Sequence, residues 1–392
     1  KNESPIINNN ILHLTFRRTK ATKERIVFEI DDYDLHFIDR VTAIENQFIW
    51  KNNLLGGGRI KNIVSKYANK DFRTYLKETN CKVEEGFMLG SQGHLCPDYI
   101  YEMKTLPTEA VYEDKIDLGA LKDIDKQIKF EKIPEKSLFE APNIIIKENI
   151  GKDRIPIHFN KNTFSFQRNI IGISNPNNPA IFNEIINSFN DLNDFYRFYI
   201  FVTSGQLLIN KNTVFLKKDI LNLPYIEKNG KTNISQFDKN IIFDVNTYMQ
   251  DFMRHGEGSE AVKPIPVSKF KSMLSNYGQQ FSKVLNLIYE DKNRKFRLSD
   301  IVKLRSSYIA AIFRYDSKEE NPIFHSDNSK INLKELSDFE ISKQLTVNRI
   351  IKLYPDKDTV VFIKPNQFRY WLSLIAYRDA DKCFSDFSKL GY

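Results

Sequence analysis

The chain has 392 residues, of which 41% are hydrophobic and 13% aromatic, and its formal net charge is +8. This apolar content supports two or three folded domains and excludes a wholly disordered chain. Three cysteines without a CxxC pair exclude a disulfide framework, and no apolar run reaches the roughly 18 residues of a membrane span. We therefore expect a cytoplasmic protein with no membrane association, and the basic excess favours a polyanionic partner.

The first 135 residues predict a connecting region of strands and helices. Alternating apolar residues in ILHLTF and IVFEIDDYDLHFI predict two strands, and a basic stretch lies between them. Helix-period apolar positions lie on both sides of Gly56, Gly57 and Gly58, which predicts a helix, a tight turn and a second helix. The basic residues of the stretch are Arg17, Arg18, Lys20, Lys23 and Arg25.

Residues 136–228 predict a β-rich domain. FEAPNIIIKENIGKDRIPIHF and FSFQRNIIGIS are short β-type runs separated by polar turns. An apolar, helix-like stretch, FYRFYIFVT, follows and ends at a Ser-Gly break, and a further strand and a Leu-Pro close the block. The polar segment after Tyr225 predicts a domain boundary.

Residues 241–392 predict a mainly helical domain. Apolar residues recur at helical spacing from Val267 to Tyr315, and VVFIKPNQFRYWLSLIAYRDAD predicts a buried strand, a turn and a helix. Taken with the preceding regions, the pattern predicts an α+β protein in which helical segments flank a β-rich lobe.

No catalytic constellation is evident in the sequence. The six histidines lack metal-ligand spacing, and Ser204-Gly205 lacks the preceding glycine of a nucleophile elbow. PDKDTVVFIK, which ends at Lys364, has the lysine of a metal-dependent nuclease, but Phe362 occupies the position where an acidic residue is needed. We therefore predict no catalytic and no metal-binding residue, and the nuclease remains an alternative.

Four segments resemble the target-recognition (specificity) domain of adenine-N6 DNA methyltransferases of bacterial type IIG-like restriction-modification or phage-defence systems. The resemblance covers about residues 50 to 225. The segments are LLGGGRI (54–60), FEAPNIIIKENIGKDRIPIHF (139–159), FSFQRNIIGIS (164–174) and FVTSGQLLIN…DILNLP (201–224).

The chain departs from these methyltransferases in its lack of catalytic motifs. It has neither an FxGxG-type cofactor loop nor the (N/D)PP(Y/F) element that holds a flipped adenine. The resemblance therefore implies that this chain binds no cofactor and that S-adenosylmethionine binds a methyltransferase domain fused upstream or carried by another subunit. The implied function is sequence-specific recognition of double-stranded DNA on behalf of that methyltransferase domain or subunit.

The candidate DNA-binding residues fall into two groups. Loops of the β-rich lobe supply side chains that distinguish base edges, and helices near the glycine turn supply phosphate contacts. The phosphate group is Arg59, Lys61 and Lys66; the base group is Lys152, Arg154, Asn160, Lys161, Asn162, Gln167 and Arg168. A metal-dependent nuclease and a subunit-docking module, each in the C-terminal third, are the alternative functions.

Overall fold

The protein has an α+β fold, as the sequence predicts. The structure, a computed structural model, describes residues 10–15, 30–46, 48–68, 70–90, 93–207, 213–226, 234–304, 307–325 and 350–391. The chain forms two compact units. The split unit contains residues 1–61 and 236–392, and the central unit contains residues 62–235. The predicted basic stretch from Arg17 to Arg25 lies outside the described residues.

The N-terminal part of the split unit begins with a two-stranded ribbon, β1 (Ile11–Leu14) and β2 (Leu35–Ile38), which pair antiparallel. Three helices follow: α1 (Arg40–Glu45), α2 (Ile49–Leu55) and α3 (Gly58–Lys66). The predicted helix, turn and helix are confirmed. Gly56 and Gly57 have φ values of +150° and +91°, a region that favours glycine and that ends α2.

The described residues of the central unit form five α-helices and eight strands besides the end of α3. Its helices are α4 (Phe72–Glu78), α5 (Asp98–Tyr101), α6 (Ile181–Asp191), α7 (Asn193–Thr203) and α8 (Lys217–Leu221). Its strands are β3 (Lys82–Glu85), β4 (Met88–Leu89), β5 (Thr105–Leu106), β6 (Phe130–Lys132), β7 (Asn143–Lys147), β8 (Ile157–Asn160), β9 (Ser165–Phe166) and β10 (Ile170–Ser174).

The main sheet of the central unit is antiparallel, with the strand order β3-β10-β7-β8. β3 belongs to the predicted connecting region yet pairs with β10, and the short pairs β4–β6 and β5–β9 also involve residues before 136. The β3–β10 and β5–β9 ladders join residues 82–135 to the β-rich segment, whereas β4–β6 lies within residues 82–135. For this reason the compact unit extends from 62 to 235, whereas the sequence places a boundary at 135/136.

The core of the central unit is aromatic. Phe87, Phe130 and Phe166 are almost fully buried, and Phe87 packs edge-on against Phe130 with ring centroids 5.0 Å apart. Every residue of α7 from Phe195 to Thr203 is buried. A helix that is apolar on nearly all sides requires neighbours all round, so α7 supports the sheet and its connections from within the unit.

In its described residues, the C-terminal part of the split unit forms four α-helices and a five-stranded sheet. The helices are α9 (Gln236–Asp244), α10 (Gln250–His255), α11 (Val267–Tyr289) and α12 (Ser373–Lys389), with a π-helical turn between α9 and α10. The strands are β11 (Lys295–Leu304), β12 (Tyr308–Asp316), β13 (Ile323–His325), β14 (Ile351–Asp356) and β15 (Thr359–Pro365), in the order β13-β11-β12-β15-β14.

The segment from Lys295 to Tyr315 differs from the sequence expectation, because it forms strands rather than helix. A β-bulge between Leu298 and Asp300 explains the misleading pattern. Phe296 and Leu298 face the core, and after the bulge Ile301 faces it. The extra residue changes the spacing of core positions from two to three, which imitates helical periodicity.

Polar contacts tie the N-terminal residues of the split unit to its C-terminal helix. The Tyr33 hydroxyl donates to Asp379 of α12 over 2.7 Å, and Arg378 donates to the carbonyl oxygen of Tyr33 over 2.7 Å. These bonds join positions more than 340 residues apart in sequence. They account for the grouping of residues 1–61 with residues 236–392.

Candidate nucleic-acid interface

The register of the central sheet separates the predicted base contacts into two groups at opposite ends. Lys147 lies opposite Ile170, so the β7–β8 connection (residues 148–156) and the β9–β10 turn (residues 167–169) share one end. Asn143 lies opposite Asn160, so residues 160–162 lie at the other end. The length of β7 places the two ends roughly 13 Å apart. Lys152, Arg154, Gln167 and Arg168 share the first end; Asn160, Lys161 and Asn162 share the second.

The β7–β8 connection is held by hydrogen bonds to its backbone. The Glu113 carboxylate accepts from the amide N–H groups of Lys152, Asp153 and Arg154 over 2.5, 2.9 and 3.0 Å. The buried Arg197 guanidinium donates to the carbonyl oxygens of Lys152, Asp153 and Ile150. Both the amide N–H groups and the carbonyl oxygens of this backbone therefore have hydrogen-bond partners on side chains from other segments.

Asn193 and Gly151 also contribute to the conformation of this connection. The Asn193 side chain accepts from the amide of Ile155 over 3.2 Å and donates to the carbonyl oxygen of Asp153 over 3.0 Å. Gly151 has a φ of +68°, and a Cβ atom there would lie 1.9 Å from the carbonyl oxygen of Arg154. A side chain at position 151 is therefore incompatible with this backbone conformation.

Lys152 and Arg154 differ in their availability to a ligand. Lys152 is exposed and forms no ion pair within the described part of the chain. Arg154 is half-buried, and its guanidinium donates to the side-chain oxygen of Asn190 in α6. Lys152 thus presents a charge that no carboxylate of the described residues pairs with, whereas Arg154 is oriented by a contact within the unit.

The β9–β10 turn presents Gln167 and Arg168, both exposed. The amide of Arg168 donates to the carbonyl oxygen of Phe87 over 3.0 Å, and the amide of Ile170 donates to the carbonyl oxygen of Gln167 over 3.0 Å. The Arg168 side chain contacts the sulfur of Met88 at 3.3 Å and forms no ion pair among the described residues. The Glu148 amide donates to the carbonyl oxygen of Asn169, which joins the turn to the β7–β8 connection.

At the opposite end of the sheet, Asn160 has a structural role instead of the base contact expected from the sequence. It is 3% exposed, and its amide donates to Asn143 over 2.8 Å and to the carbonyl oxygen of Asn162 over 2.6 Å. Its side-chain oxygen accepts from the amide of Asn162 over 3.0 Å. Because these bonds use its side-chain polar atoms, Asn160 stabilises the turn. Lys161 and Asn162 are exposed, and Lys161 lies 5.8 Å from the ring centre of Phe159.

The three predicted phosphate contacts lie on α3 but in both units, because the division falls between Lys61 and Asn62. Arg59 forms a bidentate ion pair with Asp381 of α12, with N–O distances of 2.9 and 2.6 Å. Lys61 donates to the Thr42 hydroxyl over 3.3 Å. Lys66 is exposed, with its ammonium 5.0 Å from the Tyr67 ring centre.

Five other basic residues, which lie close together in sequence at 294–297 and at 369–378, have partners within the split unit. Arg297 pairs with Asp316 through two bonds of 2.8 and 2.9 Å. Arg378 donates to the backbone carbonyl oxygens of residues 32, 33 and 35. Further ion pairs of this kind are Arg294–Asp358, Lys295–Glu319 and Arg369–Asp31. These cationic side chains therefore bind carboxylates and carbonyl groups of the protein itself.

Lys364, the lysine of the alternative nuclease site, is completely buried. Its ammonium donates to the Tyr277 hydroxyl over 2.8 Å and to the Tyr370 carbonyl oxygen over 3.2 Å, and it pairs with Asp379. All three N–H groups have protein partners, so Lys364 is a core residue and not a surface catalytic lysine. Within the described ranges, no group of three or more His, Cys, Asp or Glu residues is arranged to hold a metal ion. The docking role of the C-terminal third stays a prediction.

No local sequence pattern indicates the residues that hold the β7–β8 connection. Glu113 lies in a charged turn, and Arg197 lies within an apolar helix, where a single buried arginine has no recognisable motif. Glu148, at the start of the connection, is also buried, and its carboxylate accepts from the amide of Lys217 over 3.1 Å. Burial, reinforced by the nearby Glu85, raises the pKa of Glu148 to about 7.

Comparison of the chain with protein-family models, curated proteins and solved structures finds no match to any of them. None of the described helices combines the length and the apolar character that a membrane crossing requires.

Proposed function

We propose that this chain recognises the base sequence of double-stranded DNA on behalf of an adenine-N6 methyltransferase. The observation that carries the proposal is the end of the central sheet formed by residues 148–156 and 167–169. Lys152, Gln167 and Arg168 are exposed there on backbone that hydrogen bonds hold in place. Functional side chains are commonly carried by loops that a rigid scaffold positions.

The side chains at this end have the chemistry that DNA recognition requires. In the major groove, Lys and Arg donate to the O6 and N7 atoms of guanine, and Gln forms paired bonds with adenine. Because Lys152 and Arg168 form no ion pair in the described part of the chain, phosphate or base acceptors do not compete with a protein carboxylate bonded to them. This set favours a duplex over an uncharged ligand.

The methyltransferase assignment rests on the resemblance of residues 50 to 225 to target-recognition domains. S-adenosylmethionine and the flipped adenine would bind a separate methyltransferase domain or subunit, since this chain lacks the motifs for both. In this proposal the central unit recognises the bases, and the methyltransferase domain or subunit transfers the methyl group.

The proposal is tested by measuring binding of the purified full chain to labelled duplexes across a series of salt concentrations. We expect binding that weakens as salt rises, because each phosphate contact releases counterions. The double variant Lys152→Ala/Arg168→Ala should weaken binding and reduce the slope of log K against log salt by about 1–2 units.

Lys161→Ala is the comparison that separates the two ends of the sheet, because Lys161, which the sequence also predicts as a base contact, is an exposed lysine of the same lobe but lies at the opposite end. Its affinity and salt slope should stay close to those of the unmodified chain. Absence of duplex binding at low salt, or equal losses in the double variant and in Lys161→Ala, would contradict the proposal.

A further inference from the structure

The β7–β8 connection is more ordered than the joining of two antiparallel strands requires. Two residues in a tight turn are enough to join such strands, yet this connection extends from 148 to 156. Lys152 and Asp153, near its middle, are exposed and add nothing to the apolar core. Their backbone is nonetheless bonded by side chains from two other segments, the turn that carries Glu113 and helix α7, which indicates that its conformation matters for another reason.

The Glu113 carboxylate accepts hydrogen bonds from three consecutive backbone amides of this connection. Partial burial raises the pKa of the Glu113 carboxyl, but these amides and the Arg197 charge outweigh it and lower the pKa overall. The carboxylate therefore stays ionised at neutral pH and keeps its bonds to the connection. A charged acceptor strengthens each of the three bonds relative to a neutral one.

The turn that carries Glu113 is itself fixed to the sheet. Val111 and Ile116 pair across it, the Lys147 ammonium donates to the carbonyl oxygen of Val111 over 3.1 Å, and a His158 ring nitrogen contacts the carbonyl oxygen of Tyr112 at 2.7 Å. Lys147 belongs to β7 and His158 to β8. The strands therefore position the turn, and the turn positions the connection between those strands.

Arg197 is a hydrogen-bond donor to the same connection, whereas Glu113 is an acceptor. It is 7% exposed, and its guanidinium bonds the carbonyl oxygens of residues 150, 152 and 153. Glu113 thus binds amides and Arg197 binds carbonyl groups of the same short segment. A peptide segment bonded through both kinds of group cannot rotate its peptide planes without breaking charge-assisted bonds.

We propose that Glu113 and Arg197 are positioning residues, which hold the β7–β8 connection in its DNA-binding conformation before DNA arrives. This inference rests on the proposed function. A connection that is ordered in the free protein loses less conformational entropy on binding, and correct sequences are then distinguished by fixed side-chain positions. Loosening the connection should therefore reduce sequence selectivity more than it reduces general affinity for DNA.

The test compares the unmodified full chain with Glu113→Gln and with the control Glu109→Gln. Glutamine keeps the size of the side chain but removes the charge and one acceptor oxygen. Glu109 is exposed in the same region, and the control loses the same charge without a contact to the connection. Hydrogen exchange of peptides covering residues 149–156 gives the first measurement, and selection from a pool of randomised duplexes gives the second.

We expect faster exchange at residues 152–154 in Glu113→Gln and about a tenfold smaller affinity ratio between the selected and a scrambled duplex. The salt slope and the unfolding temperature should be close to those of Glu109→Gln. Arg197→Lys, which keeps the charge but not the planar donor set, should also reduce selectivity.

The outcomes separate the inference from the proposed function. An unmodified chain that selects no sequence overturns both. Selection by the unmodified chain with equal selectivity in Glu113→Gln overturns the inference alone, whether or not exchange becomes faster. Exchange in Glu113→Gln that matches the control also overturns it, because the carboxylate would then not hold the connection.

Discussion

Lys364 and Asp379 form an ion pair in the interior of the split unit, with side-chain exposures of 0% and 1%. Tyr277 donates to the same carboxylate and accepts from the same ammonium, and Trp371 packs edge-on against Tyr277 with ring centroids 5.0 Å apart. Burial lowers the pKa of Lys364 to about 8, against the opposing effect of Asp379. The pair holds β15 and α12 together through charge in a region that excludes water.

Replacement of Lys364 by alanine should destabilise the split unit by about 3–5 kcal/mol, because it leaves the Asp379 charge buried without its partner. Both tryptophans of the chain, Trp50 and Trp371, belong to this unit, so tryptophan fluorescence during chemical denaturation follows it. The control is Lys295→Ala, which breaks a solvent-exposed pair with Glu319 and should change the stability much less. Equal losses in the two variants would contradict a structural role for Lys364.

Asp244 should make the stability of the split unit depend on pH. Burial raises its pKa to about 7 from the ordinary 3.8, although the amide of Leu374 donates to its carboxylate over 2.8 Å. A carboxyl with a raised pKa binds its proton more tightly in the folded state. The stabilisation that the protonated Asp244 gives to the folded split unit is therefore fully present below about pH 4 and is lost as the pH rises towards about 7.

Asp244→Asn should remove this loss, because the amide is neutral and its oxygen can still accept from Leu374. We expect the variant to gain on the order of 2–4 kcal/mol over the unmodified chain at pH 8 and little at pH 4. Denaturation followed by tryptophan fluorescence at both pH values measures the difference. Glu290→Gln, at an exposed position after α11, serves as the control. A gain that does not change with pH would show that Asp244 titrates normally.

Gly278→Ala should destabilise the split unit although alanine favours helices. A Cβ atom at this position of α11 would lie 2.4 Å from Cδ2 and 2.7 Å from Cβ of Leu298 in β11. Alanine gains about 1 kcal/mol in helix propensity, whereas overpacking a core costs about 1–3 kcal/mol, so we expect a net loss.

Gly258→Ala provides the comparison, because its new Cβ would approach nothing closer than 3.9 Å. The same fluorescence measurement should show little change there. In the double variant Gly278→Ala/Leu298→Ala, the loss should be smaller than the sum of the two single losses, since Leu298→Ala removes the Cγ and Cδ2 atoms that the new Cβ atom would meet. Additive losses would indicate that α11 moves instead of meeting Leu298.

Asn160→Ala should weaken the central unit without changing which DNA sequence is selected. The substitution leaves Asn143 and the amide of Asn162 without a buried partner, at a cost of about 1–3 kcal/mol. Thermal unfolding followed by circular dichroism measures the loss, and selection from randomised duplexes measures sequence preference. Asn162→Ala, an exposed neighbour whose side chain is not part of these bonds, is the control. If the folded Asn160→Ala variant selected a different DNA sequence, Asn160 would contact bases, as expected from the sequence, and its role would not be structural alone.

The local conformation of the chain could be predicted where neighbouring residues decide it. The glycine turn between α2 and α3 followed from Gly56 and Gly57, because positive φ angles depend on the residue itself. The strands β7, β8 and β10 followed from short apolar runs between polar turns. The prediction failed at β11, where a bulge displaced the core positions by one residue.

The availability of the candidate site residues was decided by the tertiary structure alone. Arg59 and Lys152 are both basic residues near glycines in sequence, yet Arg59 is paired with Asp381 and Lys152 is not paired in the described ranges. Whether a charge is neutralised depends on residues hundreds of positions away, which no local pattern contains.

By itself, the sequence determined an α+β chain whose β-rich lobe carries basic and amide side chains on its turns. Only the tertiary structure placed Gln167 and Arg168 beside the β7–β8 connection, moved Asn160 into the interior and brought Glu113 and Arg197 onto one loop backbone. Strand and turn preferences act over a few residues and are visible in the sequence. Strand register and long-range hydrogen bonds arise when distant segments pack together, and they decide which side chains share a surface.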